Sequence, residues 1–230
     1  MLTCLCDAFY GGVGIATVKV LEHVGCKVHF DERQSCCGQP PFNAGDWKHA
    51  REIARHCQSI LFRDGQVVVT PSASCAAMVR EGYHLLFPDE NPSMAFELSE
   101  FLTKEKGITE WKTTIPYKKR IAFHRACHGR AIGLTSQAEK LIASIPGVEL
   151  VPIENAEQCC GFGGAFCVGE PHLSTQIGQA KIDTLLAAKP DEIVSGDMGC
   201  LMHLGGMLKR ADNPISIRHY SEILAETIPC

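Results

Sequence analysis

Apolar residues at Ile15, Val18, Leu21 and Val24 recur at helical spacing and predict a helix over Val13–His23, closed by Gly25. The β-branched run Gln66–Thr70, stopped by Pro71, predicts a strand. Around these two elements, Leu2–Leu5 and Lys27–Phe30 read as short strands, and Asp46 reads as the N-cap of a helix reaching Phe62. A further helix is predicted to start at Ser72–Ser74, which places Cys75 in its first turn. Asn91-Pro92 breaks the chain, and Phe96–Lys106 reads as a helix or connector. The polar stretch Gly107–Lys119 reads as a linker between halves 1–112 and 113–230. Beyond it the order restarts with strand Arg120–His124, helix Ser136–Ile145, strand Val148–Pro152 and helix His172–Ala188. Strand Glu192–Ser195, a helix from Gly199, strand Ile215–Arg218 and helix Tyr220–Thr227 complete the series. Strands alternating with helices imply an α/β protein with parallel sheets flanked by helices. In such sheets the loops at the carboxyl ends of the strands converge on one edge.

The cysteines fall on that pattern twice. Cys36-Cys37-Gly38 returns as Cys159-Cys160-Gly161, and Cys4 and Cys127 each stand 32 positions ahead of the first cysteine of their pair. Cys75 lies 38 positions after Cys37, and Cys200 lies 40 after Cys160. Each half therefore offers four thiols in the order C…CC…C, as a duplicated unit would. One Cys-Cys pair is ordinarily two small buried residues, whereas a matched set of four per half is the usual donor count of an iron–sulfur cluster or a closed zinc site. Cys4, Cys36, Cys37 and Cys75, with Cys127, Cys159, Cys160 and Cys200, are thus the candidate metal and cofactor ligands. Soft thiolates favour iron–sulfur, zinc or cuprous sites, and the count alone does not choose among them.

The chain resembles the cysteine-rich CCG-domain family, which includes the cysteine-rich subunit of heterodisulfide reductase and the iron–sulfur subunit of glycolate oxidase. The likeness rests on Thr3-Cys4-Leu5, Thr17–Leu21, Ser35-Cys36-Cys37-Gly38-Gln39-Pro40, Pro71–Val79, Cys127-His128, Cys159–Gly164 and Gly196–Leu201. It is greatest toward the branch serving the bacterial three-protein lactate-utilisation system. The resemblance implies two pseudo-repeated Rossmann-like domains, each carrying an iron–sulfur cluster. It also implies electron transfer in the oxidation of L-lactate to pyruvate, beside a ferredoxin-like iron–sulfur subunit and a third subunit. In the heterodisulfide reductase pattern each half ends in Cys-x-x-Cys, five cysteines holding a non-cubane four-iron cluster. Here Ser72 and Asp197 replace the first cysteine of that motif, leaving four thiols per half. That number fits [4Fe–4S], with oxygen ligation by Ser72 or Asp197, or zinc in one or both sites, as alternatives. The rival function is a zinc-bound or thiol–disulfide redox protein of the heterodisulfide reductase kind, and a third reading is a scaffold whose metal only stabilises the fold.

Composition narrows the rest. A formal charge of −4 with scattered Lys and Arg supplies no basic face for nucleic acid. No run approaches the eighteen or so apolar residues of a transmembrane span, and the N-terminus lacks a basic, signal-like region, so a soluble cytoplasmic protein is expected. Thirteen cysteines, an odd number, point to metal in a reducing compartment rather than to a disulfide framework. Gly11-Gly12-Val13-Gly14 with Asp31 imitates part of a dinucleotide fingerprint, but Thr17 stands where its last glycine belongs, so the glycines are assigned to the turn. His124 and His128 flank Cys127, and His203 lies one helical turn beyond Cys200. Each reads as a nitrogen ligand or, by default, as a hydrogen-bonded residue at an element's end. Arg125 and Arg130 offer forks for a carboxylate, with a solvated surface role as the default. Cys6, Cys26, Cys57, Cys167 and Cys230 have no counterpart in the repeat and are assigned no site.

Overall fold

The computed structural model describes residues 1–63, 65–91 and 93–229. Pro92 of the expected chain break and Cys230 lie outside the described residues. The first half runs α1 (Cys4–Phe9), α2 (Gly11–His23), α3 (Gln39–Asn43), α4 (Trp47–Leu61), β1 (Val68–Thr70) and α5 (Ala73–Ala77). A π-helical turn at Met78–Gly82 carries α5 into α6 (Tyr83–Leu86); β2 (Ala95–Glu97) and α7 (Leu98–Glu100) follow, extended by a second π-helical turn, Phe101–Glu105. The second half runs β3 (Lys119–His124), α8 (Cys127–Ala131), α9 (Gln137–Ala143), β4 (Val148–Leu150), α10 (Ala165–Gly169) and α11 (Pro171–Ala187). It closes with β5 (Glu192–Ser195), α12 (Met198–Arg210), β6 (Ser216–His219) and α13 (Tyr220–Glu226).

Every strand pairing is parallel, as the alternation requires. The second half forms a four-stranded sheet of order β4-β3-β5-β6, with Ile121 opposite Leu150 and Ser195 opposite both His124 and His219. β1 and β2 form a two-stranded sheet in which Thr70 faces Glu97. The period-two alternation of a strand sends neighbouring residues to opposite faces. Ile121 and Val194 therefore join a core with α2, α9 and α13, while Ala122 and Ile193 join one with α11 and α12. A third core, built on Ala50, Ala54, Val79, Tyr83 and Ala95, belongs to the first half. The α2–α13 packing, and a core in which Val20, Leu98 and Leu102 mix with Ile121, Leu141 and Tyr220, hold the halves together.

Several expectations give way to local capping. Leu2–Leu5 is not a strand: the Thr3 hydroxyl accepts from the Cys6 amide and starts α1 at Cys4. Cys4 thus opens a helix as Cys127 opens α8. Lys27–Phe30 forms no strand and pairs with no sheet among the described residues. Phe96–Lys106 divides into β2 and a helical segment, since the Glu97 carboxylate accepts from the Ser99 and Glu100 amides and caps the helix there. Asp46 caps α4 as expected, and Ser72 and Asp197 cap α5 and α12. Among the described residues no helix is long and apolar enough to cross a membrane.

Glu97 also sits on the seam between halves, where its carboxylate accepts from Tyr220 Oη at 2.6 Å. Burial pushes its carboxyl from the ordinary 4.5 up to about 6, against the opposing pull of those hydrogen bonds. A folded-state value above the unfolded one means stability that is present below about pH 4.5 and lost as pH rises through 6. Urea unfolding of the metal-free chain should therefore show the stability gap between the native chain and Glu97→Gln changing by about 2 kcal/mol across that window. A gap independent of pH contradicts the assignment.

Candidate metal centre

Each cysteine pair sits on a turn made by its glycine. Gly38 and Gly161 have φ of 87° and 86°, the left-handed region that an L side chain resists. A Cβ on Gly38 would stand 3.2 Å from Ala50 O, and one on Gly161 would stand 2.5 Å from Ser174 O. The turn is thus pressed against a helix further along its own half, α4 or α11. In the same turn each glycine amide donates to the first cysteine of its pair, Gly38 to Cys36 Sγ at 3.4 Å and Gly161 to Cys159 Sγ at 3.3 Å. The second cysteine of each pair is buried, and the first is more accessible.

The remaining thiols arrive from helix starts. Cys4 Sγ lies 3.6 Å from Cys36 Sγ, and Cys75 Sγ lies 3.5 Å from Cys37 Sγ. In the second half Cys160 and Cys200 approach to 2.8 Å, and Cys127 stands beside the exposed Cys159. All eight line one cleft of about 160 Å3, together with Gln39, Ser72, His128, Phe162 and Asp197. The described cysteines are free thiols. Hydrogen bonds from Cys37 and Cys4 hold the Cys36 thiol down to about 3. Those from Cys127 and Cys160 hold Cys159 at about 2. Cys4, Cys37, Cys127 and Cys160 are raised in turn by donating to those thiolates and by burial. A soft cation entering either quartet would displace thiol protons and take up thiolate charge. Convergent thiols, amide donors to sulfur and two adjacent helix starts fit a metal–thiolate group in each half.

The two replaced cysteine positions meet each other. Asp197 Oδ2 accepts from Ser72 Oγ at 3.2 Å and from the Ser74 amide at 2.9 Å, while its Oδ1 accepts from the Gly199 amide at 3.0 Å. Ser72 Oγ accepts in turn from the Cys75 amide. One buried carboxylate so caps its own helix and reaches over the first turn of the other half's cysteine helix. Gln39 supplies a second tie, its side-chain amide donating to Ser74 O and to His128 Nε2, both at 3.2 Å. Neither tie was assigned from the sequence, although Gln39 follows the first Cys-Cys-Gly directly and Asp197 and Ser72 share a place in the repeat.

The other candidates separate clearly. His128 is engaged by Gln39 and lies 3.6 Å from Cys127 Sγ, and His203 lies 3.4 Å from Ser174 Oγ. His124 departs from the default of a hydrogen-bonded strand end: it is 1% exposed, and neither ring nitrogen has a partner. Burial, then the Lys181 charge, lowers it to about 4, which leaves the ring neutral. Its ring and the Cys160 and Cys200 sulfurs form a group of potential donors within 4.8 Å of one another. Arg125 forks onto Glu139, and Arg130 pairs with Glu157 at 2.8 Å, so both have carboxylate partners within the chain. Asp31 is bound by Arg33 and Arg63, and Gly11 opens α2, in keeping with turn-forming glycines rather than a nucleotide site. Cys6 and Cys57 are core residues, Cys26 is half-buried, and Cys167 donates to Gly164 O.

Parallel sheets, duplicated cysteine helices and a thiol-lined cleft between them define an α/β protein of the cysteine-rich class. The chain belongs to the CCG cysteine-rich domain family, whose model matches residues 1–80 and 121–205, one stretch for each quartet. Among its relatives is Lactate utilization protein A of Geobacillus thermodenitrificans (strain NG80-2), 39% identical over 97% of this chain and 96% of that protein. The protein of the same name from Exiguobacterium sp. (strain ATCC BAA-1283 / AT1b) is 35% identical over 99% of this chain and 96% of its own length. That from Bacillus licheniformis (strain ATCC 14580) is 37% identical over 97% and 96% respectively.

Asp197→Ala would leave the Ser74 and Gly199 amides without an acceptor in a buried seam. The expected cost is about 2 kcal/mol, read as a lowered urea midpoint of the metal-free chain. An unchanged midpoint contradicts the role given to this carboxylate.

Proposed function

We propose that the chain is the iron–sulfur electron-transfer subunit of a lactate-utilisation system that oxidises L-lactate to pyruvate, acting with a ferredoxin-like iron–sulfur subunit and a third subunit. The observation that carries this reading is the convergence of two four-thiol sets on one cleft. The name shared by relatives matched over almost the whole chain supplies the metabolic setting. The two sets belong to CCG units over residues 1–112 and 113–230. Cys4, Cys36, Cys37 and Cys75 would hold one [4Fe–4S] cluster, and Cys127, Cys159, Cys160 and Cys200 the other. When bound, such clusters supply one-electron transfer. The chain's own part is to set their surroundings. The Gly38 and Gly161 amides stabilise charge on sulfur. The buried Cys37, Cys75, Cys160 and Cys200 keep water from one side, and the accessible Cys4 and Cys159 mark the side open to a redox partner.

A second reading draws on one contact, the 2.8 Å approach of Cys160 and Cys200 Sγ. Joining two thiols to form a disulfide releases two electrons and two protons, which a disulfide substrate reduced to two thiols would take up.

Anaerobic purification separates the readings. Two [4Fe–4S] clusters predict about eight iron and about eight acid-labile sulfide per chain. Cys37→Ser and Cys160→Ser should each remove about half of both, leaving the other half's signal. Zinc without sulfide, or a metal-free chain whose Cys160 and Cys200 oxidise reversibly, contradicts the iron–sulfur assignment.

A further inference from the structure

Resting on the metal-centre reading above, we propose that His124 donates a ring nitrogen to the metal of the second quartet, so that the two halves hold unlike sites: sulfur alone in the first, sulfur and nitrogen in the second. The ring sits at the end of β3, three residues before Cys127, and both nitrogens lack a partner inside a fully buried environment. Buried polar atoms are almost always hydrogen-bonded, so an imidazole with two orphaned nitrogens needs another occupant for at least one of them. The Cys160 and Cys200 sulfurs are within 4.8 Å, the spacing of donors around one ion. The backbone beneath the ring is held in place: Ser195, its neighbour in the sheet, donates through Oγ to His124 O at 2.9 Å.

The contrast with the neighbouring histidines and with the first half sharpens the assignment. His128 and His203, equally close to cysteines in sequence, have polar partners in Gln39 and Ser174. The repeat offset of 123 positions, from Cys4 to Cys127, maps His124 onto Met1, which carries no imidazole.

Pulsed EPR on the anaerobic, dithionite-reduced chain tests this directly, comparing natural abundance with 15N-histidine labelling and needing no variant. The expected result is a directly coordinated nitrogen whose coupling changes with the label. That coupling persists in Cys37→Ser and His128→Asn and is lost in His124→Gln, where the first half keeps its iron. A chain with iron in both halves but no such coupling overturns the proposal, as does a coupling that survives in His124→Gln. If the chain binds zinc and no iron, the iron–sulfur reading fails while the ligand assignment is read separately by X-ray absorption at the zinc edge. An imidazole shell lost in His124→Gln then supports it, and a purely sulfur shell overturns it.

Discussion

Two adjacent cysteines can serve one centre only if the backbone turns sharply beside them, and here the turn is made by a glycine at φ near 87° packed on a helix further along the same half. The packing is close enough to exclude a side chain, so the turn, the burial of the second thiol and the placement of the helix are one constraint. From it follow the amide that points at the first sulfur and the direction from which Cys4 or Cys127 must approach. The same constraint operating twice, in units whose remaining cysteine sits on a capped helix, yields quartets that correspond residue for residue.

What joins the quartets is polar rather than apolar at the cleft itself. The Asp197 carboxylate, deep in the second half, accepts from Ser72 and Ser74 of the first, and Gln39 reaches His128 in the opposite direction. Behind this seam the shared core of α2, α9 and α13 and the Glu97–Tyr220 hydrogen bond hold the halves in register. The oxygens of Ser72 and Asp197 are engaged by helix amides and by each other.

Much of this was legible in the residues. After Lys119 the expected strands and longer helices all appear in the expected order, while the five-residue helices α8 and α10 are too short for periodicity to show them. The first half was less legible. Leu2–Leu5 has strand-forming residues, but one hydroxyl on Thr3 converts it to helix; Val28 and Phe30 find no neighbouring ladder; and Glu97 divides an apparently continuous helix. Such outcomes depend on single caps and on distant partners, which short apolar runs do not encode. At the site, the eight cysteines were evident from spacing, whereas the sharing of one cleft was not, since it depends on how two sheets pack. The state of His124 was equally hidden, because whether a buried ring has a partner is a property of the folded surroundings.

The central claim is that each half gathers four sulfurs about its own metal centre and that both centres face the same cleft. Anomalous diffraction at the iron edge, from crystals grown and frozen without oxygen, tests it most directly. The account predicts two separate iron peaks, one bounded by Cys4, Cys36, Cys37 and Cys75 and the other by Cys127, Cys159, Cys160 and Cys200. A single peak shared by both quartets, or iron bound away from these sulfurs, would contradict it.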